Sequence, residues 1–411
     1  MILRRYPWLK TAAVIILVMA VIGLSAVNRR FVDQTSAASD FLPFWSAARV
    51  WFTEGLSPYD REVQQDAELM VYGRDARPEL GERSFVFLYP YPALYFALPL
   101  GLFSYPLARS LWMTLLEVAL PFVALLSFHV HSRKTPASLI ALTMVTALLW
   151  FPGFITIING QIAVLIVLVL VGALLTIRRE ADVWAGILLS LATVKPQLSA
   201  VLLLFLTIWA IRRRRWVLLL AFTAGIGALW GGALLFESEW LLLWARSIVR
   251  AVNLGLDTTP ALQQLASLLP ALEGPLGIAL LILVAGSLVW EWGLLLLSDD
   301  RLLAWTTAYT ATMSLLLIPP LQYGDQTILL LPLAVTVFYA YDRWKARAVP
   351  YSIALLAIIA GVSWLPFFLR TDATTPGRLS LLVAIILLVG LRWSRWWARH
   401  ALDWWDGESH V

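Results

Sequence analysis

Cysteine is absent from the 411-residue chain, which excludes disulfides, thiol nucleophiles and cysteine metal sites. Charge is scarce: Asp, Glu, Lys and Arg make up 14% of the residues, against about 25% in soluble domains. Histidine is scarce too. His129, His131, His400 and His410 lie in one short loop and near the C-terminal end, a spacing that argues against a buried metal centre, so no metal is expected. Strict alternation of apolar and polar residues is missing, which excludes a lipid-spanning barrel. An inverted repeat is missing as well, which argues against a transporter.

What is there is apolar. Hydrophobic residues make up 60% of the chain and recur in long continuous runs. In lipid every backbone polar group needs an internal partner, so such runs read as helices. The expected fold is an all-α polytopic membrane protein with about 12 crossings: 11–27, 107–128, 137–157, 161–178, 183–195, 198–211, 216–236, 276–297, 302–318, 327–341, 350–368 and 379–392. The chain is read as one integral membrane domain, 1–411. The net charge of +5 is gathered at loop ends, around His131-Ser132-Arg133-Lys134, Arg178-Arg179, 212–215, 343–347 and 392–399. That is a positive-inside pattern rather than a nucleic-acid patch. The 21 tryptophans often fall at predicted span ends, as interfacial belts require.

Arg4, Arg5 and Lys10 precede segment 11–27, and Asn28-Arg29-Arg30 follows it in place of a small-residue cleavage site. The segment is therefore expected to be a retained anchor with a cytoplasmic N-terminus. Stretch 85–103 is apolar but interrupted by Pro90, Pro92 and Pro99. If it only dips into the membrane, every basic cluster lands inside, so it reads as a re-entrant or interfacial element within a first outer loop of about 28–106. A late outer loop covers about 237–275.

The unusual residues concentrate in the predicted outer loops. Phe41, Trp45, Ala48 and Phe52 share one helical face, and Ser39 or Asp40 occupies the cap position. This predicts a short helix on the outer membrane surface that begins with a carboxylate. A helix start keeps Asp40 ionised, and an ionised carboxylate in a partly dry cavity accepts a proton from a hydroxyl. The plain alternative is a helix cap. Glu54 and Asp60 are weaker candidates. Asn159-Gly160-Gln161 breaks two apolar runs; it is either a simple turn or a pair of amides for sugar hydroxyls. Lys195-Pro196-Gln197 places a cation on the outer side, against the charge bias. That points to a phosphate anchor or to a snorkelling interfacial lysine. Gln322, Tyr323 and Asp325 form another outer turn. Arg109, Arg246, Arg250, Arg370 and Arg378 are further outer cations, each by itself a rim residue. Together they would neutralise a leaving phosphate.

The order Asp40-Phe41…Trp45…Ala47-Ala48…Gly55-Leu56-Ser57-Pro58-Tyr59-Asp60, then Phe87-Leu88-Tyr89-Pro90-Tyr91-Pro92, Asn159-Gly160-Gln161 and Thr193-Val194-Lys195-Pro196, resembles glycosyltransferase family 87. That family is known for polyprenyl-phosphate-mannose-dependent mannosyltransferases of the GT-C fold. The resemblance implies inverting transfer of a hexose, mannose above all, from a polyprenyl-phosphate donor to a lipid or glycan acceptor, with Asp40 as catalytic base. Substrate-binding roles are expected for Tyr89, Arg109, Asn159, Gln161, Lys195, Gln197, Arg246, Gln322, Tyr323 and Asp325. No cofactor beyond the donor lipid is expected. The expected setting is a multi-pass monomer of the plasma membrane, working on the extracytoplasmic side among membrane lipids. The chain departs from related mannosyltransferases in having Gln322, Tyr323 and Asp325 where they carry histidine. The competing readings are a lipid-linked saccharide flippase, which predicts charge deep in the spans, and a glycan ligase, which predicts a late loop rich in Arg and His.

Overall fold

The computed structural model describes residues 7–131, 134–254, 275–318, 322–369 and 381–400. The described residues are helical, with no β-strand among them. Four helical stretches, Ile15–Gln34, Tyr105–His129, Pro275–Leu297 and Tyr323–Leu365, are long and apolar enough to cross a membrane, or five with a bent pair counted as one. Four shorter apolar helices accompany them. The protein is therefore a multi-pass membrane protein, and it divides into two compact units.

The first unit comprises Met1–Leu88, Leu94–Val118 and Ile157–Gly160. Helix α1, Pro7–Gln34, runs past the expected end at residue 27. Two pairings accompany the extension: Asn28 Nδ2 donates to Glu117 Oε2 at 2.7 Å, and Arg29 pairs with Asp33 one turn later at 3.0 Å. Helix α2, Phe41–Glu54, lies where the periodicity puts it. It is not, however, a surface helix with one apolar face. Every residue from Phe41 to Ala48 is buried, so its first two turns are covered in all directions. Helix α3, Arg61–Tyr72, and helix α4, Leu94–Gly101, enclose it. Only the last turns emerge, where Phe52 is exposed. At eight residues, α4 is about 12 Å long, far short of the ~30 Å hydrocarbon layer. Helix α5 spans Tyr105–His129, and its first half belongs to this unit.

The second unit holds the remaining helices. The expected single span 137–157 is instead α6, Ala137–Leu149, and α7, Phe151–Asn159, bent by 55° at Trp150. Trp150 is extended at the bend, with φ −72° and ψ 149°, and Pro152, which has no N–H to bond back to α6, lies in the first turn of α7. Then come α8, Ala163–Arg178, α9, Asp182–Ala192, α10, Pro196–Arg212, and α11, Trp216–Ile226. A π-turn follows over Gly227–Gly231, then α12, Trp240–Asn253, and α13, Pro275–Leu297. Helix α14, Leu303–Leu317, is buried along almost its whole length, with α10, α13, α15 and α17 packed around it. Lys345, at φ 52°, separates α15, Leu330–Trp344, from α16, Ala348–Phe368. Helix α17 covers Leu382–His400.

Two titratable groups of this unit depart from expectation. Glu291 is buried and takes ion pairs at 2.7 Å from both Arg392 and Arg395, so part of the C-terminal basic cluster pins α17 to α13. His131 is not a member of a solvated cationic cluster. Its ring is buried against Phe338, 3.8 Å between centroids. Burial, reinforced by nearby Arg178, lowers its pKa to about 3 and keeps it neutral.

Candidate functional site

Each unit carries one cluster of chemically capable side chains. In the first unit the segment before α2 is clamped by residues on one face of α5. Tyr105 Oη donates to the Ala37 carbonyl at 2.6 Å and shares a hydrogen bond with Ser39 Oγ at 2.8 Å. Arg109 is buried rather than rim-lying; its guanidinium donates to the carbonyls of Ser36 at 2.7 Å and Ile158 at 3.2 Å. Trp112 Nε1 donates to the Gly160 carbonyl at 2.8 Å, and its ring stacks on Phe41 with centroids 5.2 Å apart. Gly160 has φ +69°, and a Cβ there would lie 2.6 Å from that of Phe41. Gly160→Ala is therefore expected to cost about 1–3 kcal/mol, read as a lower midpoint of thermal unfolding in detergent.

On this clamped segment sits Asp40, buried at 6% exposure. It makes no capping bond: its φ and ψ are already helical, and no side-chain bond to the helix start forms. Its carboxylate faces Arg83 instead, Oδ1 to Nη2 at 2.5 Å. The Arg83 side chain is 57% exposed, so one partner is enclosed and the other lies on the protein surface. Arg83 is held by its surroundings. Tyr72 Oη accepts from the Arg83 N–H at 3.1 Å and donates to its carbonyl at 3.2 Å, and the guanidinium lies 5.7 Å from the Phe85 ring centre. Sequence reasoning missed this arginine, because an isolated Arg in a loop carries no periodic signal. Asp60, a weaker candidate, accepts from the Ser57 N–H at 2.9 Å and closes the turn before α3.

The loop that carries Arg83 is braced by Glu82. Hydrogen bonds from the Arg74 side chain, at 2.7 and 2.8 Å, and then from the Arg77 N–H lower the Glu82 pKa to about 2. A depressed carboxylate pKa stabilises the fold above the unfolded value, near 4.5, and that contribution is lost as pH falls towards 2. Protease cutting within 73–84 should therefore rise as pH drops below about 4, and Glu82→Gln should cut readily at neutral pH. Equal cutting of both proteins at every pH would remove the brace.

In the second unit the break between α9 and α10 presents Lys195. Pro196 starts α10 and lacks an N–H, so Lys195 leaves helical geometry at φ −128° and ψ 74°. The side chain is 0% exposed. Its ammonium meets Asp325 Oδ1 at 2.5 Å and donates to Gln322 Oε1 at 2.9 Å. Tyr89 Oη reaches the same Gln322 oxygen at 3.4 Å. Gln161 Oε1 accepts from the Gly324 N–H at 2.6 Å, fixing the 3₁₀ turn Tyr323–Leu329. Five expected site residues, Tyr89, Gln161, Lys195, Gln322 and Asp325, thus form one cluster. Tyr323 stands beside it with its ring edge-on to Phe151. Gln197 and Asn159 are half-buried, and Arg246 is exposed on α12. Arg370, Arg378 and most of the late outer loop, 255–274, lie outside the described residues. Among the described residues no group of three or more His, Asp or Glu is placed to hold a metal.

A helical multi-pass chain with buried carboxylate, ammonium and amide groups fits a membrane enzyme. Residues 87–320, more than half of the chain, match Glycosyltransferase family 87. The protein belongs to glycosyltransferase family 87 and is a membrane glycosyltransferase. The matched stretch includes Tyr89, Gln161 and Lys195; Asp40 precedes it, and Gln322 and Asp325 follow it. No curated protein and no solved structure matches the chain.

Proposed function

We propose that the protein transfers a hexose, mannose in the first instance, from a polyprenyl phosphate to a hydroxyl of a lipid or glycan acceptor, with inversion at the anomeric carbon. The observation that carries this reading is Asp40: an enclosed carboxylate with no side-chain capping bond, just after backbone held by Tyr105 and Arg109. Such a carboxylate is pre-positioned to take the acceptor's proton as the oxygen attacks. The polyprenyl phosphate departs as an already stable anion, so it needs a cation and not an acid, and Lys195, held by Asp325 and Gln322, is assigned that role. The tail of the donor dissolves in the bilayer. On this reading the four shorter apolar helices, α14 and α17 also cross, and α15 and α16 cross separately, giving about 12 spans of a GT-C-type fold. It is a plasma-membrane monomer with an extracytoplasmic active site and no cofactor.

The test is transfer by purified protein in detergent, with radiolabelled mannose on a short-chain polyprenyl phosphate and with the same sugar on a nucleotide. Product from the polyprenyl donor alone supports the reading. Product from the nucleotide donor alone, or movement of intact lipid-linked sugar across vesicles without product, overturns it.

A further inference from the structure

Helix α12, Trp240–Asn253, divides into three lengthwise sectors. Trp240, Ser247 and Ala251, spaced at i, i+7 and i+11, are buried, and the helix packs on the turn Tyr91–Ala93 of the same unit. Trp244 lies on this side, its ring 6.2 Å from that of Trp240 and 6.0 Å from that of Trp230. The second sector is apolar yet outward-facing: Leu241, Leu242, Val249 and Val252 are all exposed. It continues into Leu234, Leu235 and Phe236, the exposed residues that follow α11 and the π-turn. The third sector carries Arg246, Arg250 and Asn253, also exposed. In this helix and its approach the acidic residues are Glu237 and Glu239, before the first turn.

A helix of a soluble protein has two sectors, core and water. Three sectors in the order protein, apolar, cationic suit a helix lying along a bilayer surface, with acyl chains under one flank and phosphates beside the other. We infer that α12 is an in-plane membrane helix: its Leu241–Leu242–Val249–Val252 flank enters the acyl layer, and Arg246 and Arg250 engage the phosphates of anionic phospholipids. Charge complementarity selects this occupant, since an arginine near an anionic lipid surface strengthens attachment by about fivefold. A second protein surface would leave the paired arginines facing a predominantly apolar contact. The inference stands apart from the transfer reaction and from Asp40.

The absence of cysteine makes the test direct, because every single-cysteine variant carries one thiol. Spin labels at Leu242→Cys, Ser247→Cys, Val249→Cys and Asn253→Cys in the full chain are read against oxygen, which concentrates in lipid, and an uncharged nickel chelate, which stays in water. Labels at 242 and 249 should collide with oxygen, 253 with nickel, and 247 with neither. Nickel collision at 242 and 249 would place them in water. Collision with neither would place them under protein. Either result overturns the inference. Replacing half the phosphatidylcholine of the vesicles with phosphatidylglycerol should lower nickel collision at 249 by severalfold. Arg246→Gln with Arg250→Gln should abolish that lipid response, and Arg246→Lys with Arg250→Lys should keep it. A response that survives loss of both charges, or none in any protein, refutes the phosphate contact.

Discussion

Asp40→Asn is expected to lower transfer by about 10²–10⁴-fold, the usual contribution of a general base, while the protein still folds. The ion pair it breaks is lopsided. Asp40 is enclosed, whereas the Arg83 side chain is 57% exposed, so the cation left without its partner is not a buried charge and losing the pair costs little. Turnover, measured as kcat and KM with the polyprenyl donor, should fall through kcat. The midpoint of thermal unfolding should stay within a few degrees of the parent. Near-full kcat in Asp40→Asn would remove the base. Arg83→Gln separates a positioning role from a proton-accepting one: kcat should fall less than in Asp40→Asn, and added guanidinium ion should restore part of it. Guanidinium should do nothing for Asp40→Asn.

The second large effect concerns Lys195, and its sign depends on what stands opposite. Lys195 and Asp325 are both buried, with side-chain exposures of 0% and 6%. Lys195→Met leaves a carboxylate enclosed without its cation, which costs about 3–5 kcal/mol. That variant is expected to yield little folded protein. Lys195→Met combined with Asp325→Leu removes both charges and should recover most of the stability, since apolar replacement of a whole buried pair is often neutral or better. Activity distinguishes a structural clasp from a phosphate site. The double variant should be stable, as judged by thermal unfolding and size-exclusion behaviour, yet inactive. A double variant that is both stable and fully active would leave Lys195 no part in the chemistry.

How legible this was in the sequence depends on how local the cause is. The helix from Phe41 was readable because its spacing and its end at Gly55 are written within a few residues. The irregular backbone at Lys195 was readable because Pro196 enforces it. That α3 and α4 bury α2 on all sides of its first two turns was not readable. Its apolar stripe looks the same whether lipid or α3 and α4 cover it. The pairing of Lys195 with Asp325 joins residues 130 positions apart, and a sequence shows a cation in an apolar setting without showing what meets it. The same holds for His131, grouped with its basic neighbours although Phe338 buries it. The bend at Trp150 left a signal, Pro152 and Gly153, that the hydropathy of the run outweighed.

The grip of α5 on the main chain at 36–37 and 158–160 bears on how this sequence is free to change. Tyr105, Arg109 and Trp112 all reach main-chain oxygens, at Ala37, Ser36, Ile158 and Gly160. Every residue type supplies such an oxygen, so drift at 36, 37 and 158 leaves the grip untouched, whereas each of the three donors needs a particular side chain. Natural variants should therefore be plentiful among the gripped positions and rare among the grippers, the reverse of what would follow had the contacts run between side chains.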